Sequence, residues 1–232
     1  MGDYREILTD NEVVQSYAYP IEVKIYKDGV QAIPSSSTIT VKDPDGTAQV
    51  EDAAMSVAVA GTMTYSLSST YTATLWENAI IEIEYVISSV THKMVRFFDV
   101  VLNKLRCGVI DVDLTKYYPQ LGDERWSTQT TYDNQIEEAF RIVKQDIHNR
   151  GRRPHMLIDG EQVRELIILK ALEIVFFAFF KDQSDEWFSR YEAIAERYKV
   201  ESGKLIIKYD TDEDGLIDDD EKETMGQIRF VR

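Results

Sequence analysis

The chain is poor in the groups that catalysis and covalent bracing need. Its single cysteine, Cys107, excludes an intrachain disulfide framework and a zinc cage built on thiolates. Cys107 has no histidine near it in sequence and precedes Gly108, so it reads as a packed thiol rather than a nucleophile. The three histidines, His92, His148 and His155, form no HExxH, and there is no Gly-x-Ser-x-Gly, phosphate-binding loop or GxGxxG. Acid pairs such as Glu82/Glu84 sit on one face of a predicted strand and read as a solvated face. No catalytic residue is assigned and no enzyme is expected. Long apolar runs are also missing. The longest, Leu166 to Phe180, spans 15 residues and is broken by Lys170 and Glu173, too short and too charged for a membrane span. Residues Met1 to Glu6 contain no apolar h-region, so a soluble chain made without a Sec-type signal is expected.

Positive charge is scarce as well: 26 bases stand against 41 acids, a net charge of −15. That balance excludes non-specific attraction to nucleic acid or anionic membrane as the default role. The excess is local. Residues 210–223 hold nine acids and one base, Lys222, and so carry −8 of the −15. What remains is ordinary globular material, 44% hydrophobic and 29% charged, long enough at 232 residues for two modules.

The first hundred residues alternate with period two. Ile21 to Tyr26, Thr38 to Val41, Met55 to Val59, Met63 to Leu67, Tyr71 to Trp76, Ile80 to Ile87 and Lys93 to Leu102 read as about seven strands. Turn chemistry separates them, as at Lys27-Asp28-Gly29 and Asp43-Pro44-Asp45-Gly46. An immunoglobulin-like β-sandwich over residues 1–106 is the expected packing, without the disulfide of antibody domains. After Cys107-Gly108 the period changes to that of helices. Asp113 is expected to cap a short helix from Leu114 to Tyr118, stopped by Pro119. Ile136, Ala139, Phe140, Val143 and Ile147 form one stripe of a longer helix that ends at Gly151. A third helix, from about Gly160 to Lys181, is apolar nearly all round from Leu166 onward. That pattern implies cover on most sides or burial in an oligomer. A fourth starts at Ser184, Asp185 and Glu186 and runs to Gly203. The expected architecture is therefore α+β: the sandwich, a small antiparallel helical bundle over 107–203, and a C-terminal β-hairpin over 204–232. Leu205 to Tyr209 and Ile228 to Val231 are the predicted hairpin strands.

The acidic span is the strongest constellation. Asp210-Thr-Asp212-Glu-Asp214-Gly215-Leu216-Ile217-Asp218-Asp-Asp-Glu221 matches the twelve-residue calcium loop at positions 1, 3, 5, 6, 9 and 12. Alternate carboxylates on a tight loop converge on one point, and without a cation they would repel one another. The expected cofactor is one Ca²⁺, bound by the side chains of Asp210, Asp212, Asp214 and Glu221, the Leu216 carbonyl, and Asp218 directly or through water. A strand rather than a helix precedes the loop, so a structural clip is expected instead of a sensor. The alternative is a solvated acidic turn. Arg150, Arg152, Arg153 and His155 form a basic cluster between two helices, read either as an anion or acidic-partner contact or as charge complementing a helix terminus. Phe176, Phe177, Phe179, Phe180, Trp187 and Phe188 exceed what a small bundle needs, and some are expected to face another subunit.

Asp113-Leu114-Thr-Lys-Tyr117-Tyr-Pro119, then Trp126, then Ile136-Glu-Glu-Ala139-Phe-x-x-Val143-x-x-Asp146-Ile147, then Gly151-x-x-Pro154-x-x-Leu157-Ile158-Asp159 make a pattern over roughly residues 112–203. It resembles the head–tail connector (adaptor) proteins of tailed bacteriophages. The resemblance implies a virion structural protein at the head–tail interface, made in the host cytoplasm. It further implies a homo-oligomeric ring of about twelve copies that binds portal protein and tail or stopper proteins. No membrane is involved, and DNA is touched only where the ring lines the channel. The β-sandwich and the calcium-type loop are additions to the minimal pattern. The alternative reading is a calcium-stabilised surface adhesion or binding module.

Overall fold

The computed structural model describes residues 4–8, 11–125, 129–157, 159–181, 186–204, 206–210 and 222–224. Among the described residues it is an α+β structure with two sheets, a two-stranded ribbon and four α-helices. The chain divides between Lys104 and Leu105 into two compact units, each with its own apolar core.

The first unit contains β1 (Tyr4–Leu8), β2 (Glu12–Val14), β3 (Tyr19–Lys27), β4 (Val30–Ala32), β5 (Ser36–Lys42), β6 (Ala48–Ala54), β7 (Ser56–Val57), β8 (Met63–Leu67), β9 (Trp76–Ile87) and β10 (Val90–Val101). One sheet runs β1-β3-β8-β7, with β4 also on β3; the other runs β2-β10-β9-β5-β6. All pairings are antiparallel except β2 with β10. Period-two patterning sets the register. Tyr19, Ile21, Val23 and Ile25 of β3 and Ile81, Ile83, Tyr85 and Ile87 of β9 are all buried, and both sheets feed one core. Each such side chain contributes about 1.5–3 kcal/mol by burial, so a one-residue slip that turned either strand over would be prohibitive.

Two expectations need correction. Of Tyr71 to Trp76 only Trp76 enters a strand, β9. Thr72 looks like an inward strand residue and is indeed buried, but its hydroxyl donates to the Tyr17 carbonyl at 2.6 Å and its carbonyl accepts the Ser16 N–H at 2.8 Å. The segment is a loop pinned to another loop. Met55 to Val59 contracts to the two residues of β7, while β6 forms before it. β6 buries no side chain, and Asp52 interrupts it at φ +47°, so it carries no apolar period to read.

The second unit contains α1 (Asp111–Tyr117), a 3₁₀ turn (Pro119–Gly122), α2 (Asp133–Asn149), a second 3₁₀ turn (Pro154–Met156), α3 (Glu161–Phe179), α4 (Glu186–Lys204), β11 (Ile206–Lys208) and β12 (Lys222–Thr224). Asp113 lies inside the first turn of α1 rather than before it, and its carboxylate accepts the Ile110 backbone N–H at 3.1 Å. The predicted stripe Ile136, Ala139, Val143 and Ile147 is buried, with Phe140 at its margin. Gly151 takes φ +77° after α2, the left-handed exit expected of it. Helix α4 does not stop at Gly203. It continues to Lys204, and buried Ser202 in its last turn receives the Arg150 guanidinium at 2.6 Å. Ser184 and Asp185 lie outside the described residues.

Side-chain pairs give the helix directions. Asp146 meets Tyr198 and Arg150 meets Ser202, so α2 and α4 run the same way. Glu165 meets Arg197 whereas Phe177 meets Tyr191, so α3 runs against α4. Among the described residues no helix is long and apolar enough to cross a membrane.

The turn between β7 and β8 depends on Gly61, which has φ +86° and whose added Cβ would fall 2.7 Å from the Ala32 carbonyl oxygen. Gly61→Ala is expected to destabilise the first unit by about 1–3 kcal/mol through strain and overlap together. A thermal melt checks this; an unchanged transition would mean that β4 yields freely.

Candidate functional site

The acidic span begins on a firmly held foot. Asp210 is 3% exposed and its backbone N–H donates to the Met156 carbonyl at 3.0 Å. Tyr209 is buried beside it, its hydroxyl accepting the Arg153 backbone N–H, with the Arg152 guanidinium 5.2 Å above its ring. The basic cluster therefore works inside the chain. Arg150 holds the end of α4, Arg152 and Arg153 hold Tyr209, and His155 is buried in the Pro154–Met156 turn. Lys208 pairs with Lys222, so the ladder of β11 and β12 brackets the twelve-residue span. The predicted partner strand, Ile228 to Val231, lies outside the described residues. Asp212, Asp214, Leu216, Asp218 and Glu221 lie outside the described residues, as do residues 227–231. Among the described residues no three His, Cys, Asp or Glu side chains gather as a metal site.

The polar signature positions among the described residues make contacts within the chain, buried at Asp113 and exposed at Tyr117 and Asp159. Asp113 is 4% exposed, and its carboxylate meets Arg164 at 2.7 Å, Lys116 at 3.0 Å and the Ile110 N–H. Burial opposes its charge, but the N–H and the two cations outweigh that opposition and hold the carboxyl below its usual range. Asp146 accepts the Tyr198 hydroxyl at 2.5 Å, and Lys170 lies 4.3 Å from the Tyr198 ring centre. Burial first, then the Asp146 carboxylate, pushes that phenol above its usual range. Tyr117 donates to Glu165, which also pairs with Arg197 at 2.8 Å. Asp159 accepts the Glu161 N–H at 2.9 Å at the start of α3, and a Cβ on Gly160 would lie 2.8 Å from the Arg106 carbonyl oxygen. Trp126 and Ile158 lie outside the described residues. Cys107 is half-buried, and burial pushes its thiol up, away from the reactive thiolate.

The outward-facing feature is aromatic. Phe176 is buried against Tyr118, 4.9 Å away and edge-on, and against Trp187 at 5.5 Å. One residue on, Phe177 is 60% exposed, 5.3 Å from Phe180 and 5.7 Å from Tyr191. Phe188 closes the group 5.2 Å from Phe180. The expectation for Leu166 to Phe180 is thus refined. Leu166 to Phe176 is covered by the chain's own helices, and only the end of α3 turns aromatic surface outward.

No protein-family model matches this chain, and no curated protein matches it.

In the first unit the polar cleft on the outer face of β5, β9 and β10 is closed on itself. Glu82 lies between Lys42 at 2.7 Å and Lys93 at 3.0 Å. Hydrogen bonds from Lys42 and then Lys93 hold its carboxyl below the usual range. Glu82 and Glu84 act as cross-strand ion-pair partners, a role the alternation places on this face but whose partners it could not name.

Asp113 generates a pH prediction with a definite sign. Its folded-state pKa is depressed, so its contribution is fully present above the unfolded value of about 3.9 and is lost as pH falls through the folded value. Asp113→Asn should lower stability by about 1–3 kcal/mol at neutral pH, because Arg164 and Lys116 then lose the buried carboxylate they share. Melting curves of the two chains from pH 7 downward should converge at the acid end. Parallel curves would deny the ion pairs a stabilising role.

Proposed function

We propose that this chain is a virion structural protein, a head–tail connector (adaptor) subunit that assembles into a ring joining the portal to the tail or stopper protein. The aromatic surface at the end of α3 carries the reading. Isolated exposed apolar residues are ordinary, but Phe177 sits in a group with Phe180, Phe188 and Tyr191. Clustered aromatics are the composition of an interface core. A head-to-tail contact through such a surface closes into a ring when the rotation allows. The role is structural, with no catalytic step.

The first unit is read as an immunoglobulin-like sandwich, and its strand order supports this. The sequence β1-β3-β8-β7 corresponds to strands A, B, E and D of that fold, and β10-β9-β5-β6 to G, F, C and C′. The leading segment divides between the sheets, β1 on β3 and β2 parallel on β10. The C-terminal hairpin is read as a calcium clip, with Asp210, Asp212, Asp214, Leu216, Asp218 and Glu221 as ligands of one Ca²⁺. The bracketing ladder and the seated Tyr209–Asp210 foot favour a closed loop in which the acids converge. A second reading, a calcium-stabilised adhesion or binding module, is favoured by the strand order. It differs in requiring no ring.

Phe177→Asp should abolish ring formation in sedimentation and in electron micrographs while leaving the circular dichroism unchanged, since the side chain is largely outside the core. A wild-type chain that stays monomeric at every concentration and with portal protein would sink the connector reading in favour of the second. For the loop, Ca²⁺ titration by calorimetry should show one site. It should raise the melting temperature, with stabilisation of about 2.7 kcal/mol at a hundredfold excess over the dissociation constant. Asp212→Ala with Asp214→Ala should remove both effects. Absence of heat and of any thermal shift in the wild-type chain leaves a solvated acidic turn.

A further inference from the structure

The edge strand β1 is held unlike its neighbours. None of its five residues is buried, whereas the adjoining β3 buries four. Tyr4 and Leu8 touch only the margin of the core. Between them Glu6 points inward, an unusual residue for the core side of a strand. Its carboxylate accepts the Tyr85 hydroxyl at 2.9 Å and the Arg96 guanidinium at 3.1 Å, and both of these belong to the opposite sheet. His92 stacks on Tyr85 with ring centres 5.3 Å apart and meets Tyr4 edge-on at 4.8 Å. Among the described residues the remaining holds are the ladder that pairs Tyr4–Leu8 with Lys27–Val23 and the Lys27 ammonium 5.6 Å over the Tyr4 ring. An element with few buried contacts opens at much less than the global free energy of unfolding.

We infer that β1 is an exchangeable strap, and that the slot it fills accepts the β1 strand of a second copy of this chain. The slot consists of the β3 edge from Val23 to Lys27 together with Tyr85, His92 and Arg96. Its chemistry names the occupant: an extended segment with an aromatic residue, a carboxylate and an aliphatic residue at alternate positions, as in Tyr4-Arg5-Glu6-Ile7-Leu8. A second copy carries the same segment and remakes every contact, which is why strand exchange between identical chains is energetically inexpensive. Glu6 also makes the slot selective. An apolar strand would leave the Tyr85 hydroxyl, on a side chain only 1% exposed, without this acceptor. The inward carboxylate likewise discourages β1 from joining unrelated edges. The inference is independent of the connector reading, since it concerns the first unit alone.

Native-state hydrogen exchange on the intact chain, with a labelled peptide of residues 1–11 as probe, tests this. The β1 amides should exchange through an opening that leaves β9 and β10 protected, and Tyr85→Phe should speed that opening roughly tenfold without loosening β9 and β10. The peptide should be taken up at a rate that follows the opening, and a Glu6→Ala peptide should be taken up at least roughly tenfold less. Three results would each overturn the inference. They are β1 amides that exchange only together with β9 and β10, an opening rate indifferent to Tyr85→Phe, and no uptake of the peptide by either protein.

Discussion

Between Leu166 and Phe176 helix α3 offers water only the half-covered stripe of Lys170, Glu173 and Ile174, and the second unit is arranged around that fact. Val163, Leu166, Ile167, Ile168, Leu169, Ala171, Leu172, Val175 and Phe176 are all buried. A helix of this kind needs neighbours on most sides. Helices α2 and α4 run beside it in the opposite direction, α1 packs against it as well, and the Tyr118 and Trp187 rings close over Phe176. Phe177 emerges one turn further along that stripe. The outward aromatic surface follows from the place of Phe177 on that stripe, beside Phe180 and Tyr191.

Polar groups inside this unit work mainly as locators. An apolar helix packs well in several rotational settings, because dispersion and burial have little direction. Directional bonds select among them. Asp113 ties α1 to Arg164 of α3, Tyr198 ties α4 to Asp146 of α2, and Arg150 ties the end of α2 to Ser202. Each removes a carboxylate or hydroxyl from water and repays the loss only when every partner is in place. Of the signature positions, Asp113 and Asp146 fall on such joints, whereas Tyr117 and Asp159 make exposed hydrogen bonds, to Glu165 and with the Glu161 N–H. Asp113 and Asp146 thus report how the helices are locked.

The first unit solves a different problem, the closing of two sheets on one core while their edges stay quiet. Long central strands β3, β9 and β10 supply the apolar faces. The edges are blunted by the brevity of β7, the Asp52 irregularity in β6 and the inward Glu6 of β1. Only the last of these is also a specific polar contact across the sheets, which sets β1 apart as an edge with a matched partner.

The amino-acid sequence by itself determined whatever depends on periodic burial. β3, β5, β8, β9 and β10, the stripe of α2 and the over-apolar α3 were legible because each element's apolar spacing matches its own repeat. The left-handed exit at Gly151 was legible for a local steric reason. Tertiary structure alone decided what depends on partners distant in the chain. β1 and β6 have no buried period and exist because β3 and β5 offer them ladders. Thr72 is a loop residue because Tyr17 presents a carbonyl to it. Gly203 stays helical as the neighbouring turn is clamped by Arg150, 52 residues away from Ser202. The basic cluster at Arg150–His155, open to either of two readings in sequence, is committed to Tyr209 and the end of α4. Charge and residue type are written locally, but which donor meets which acceptor is fixed only once the chain has closed on itself.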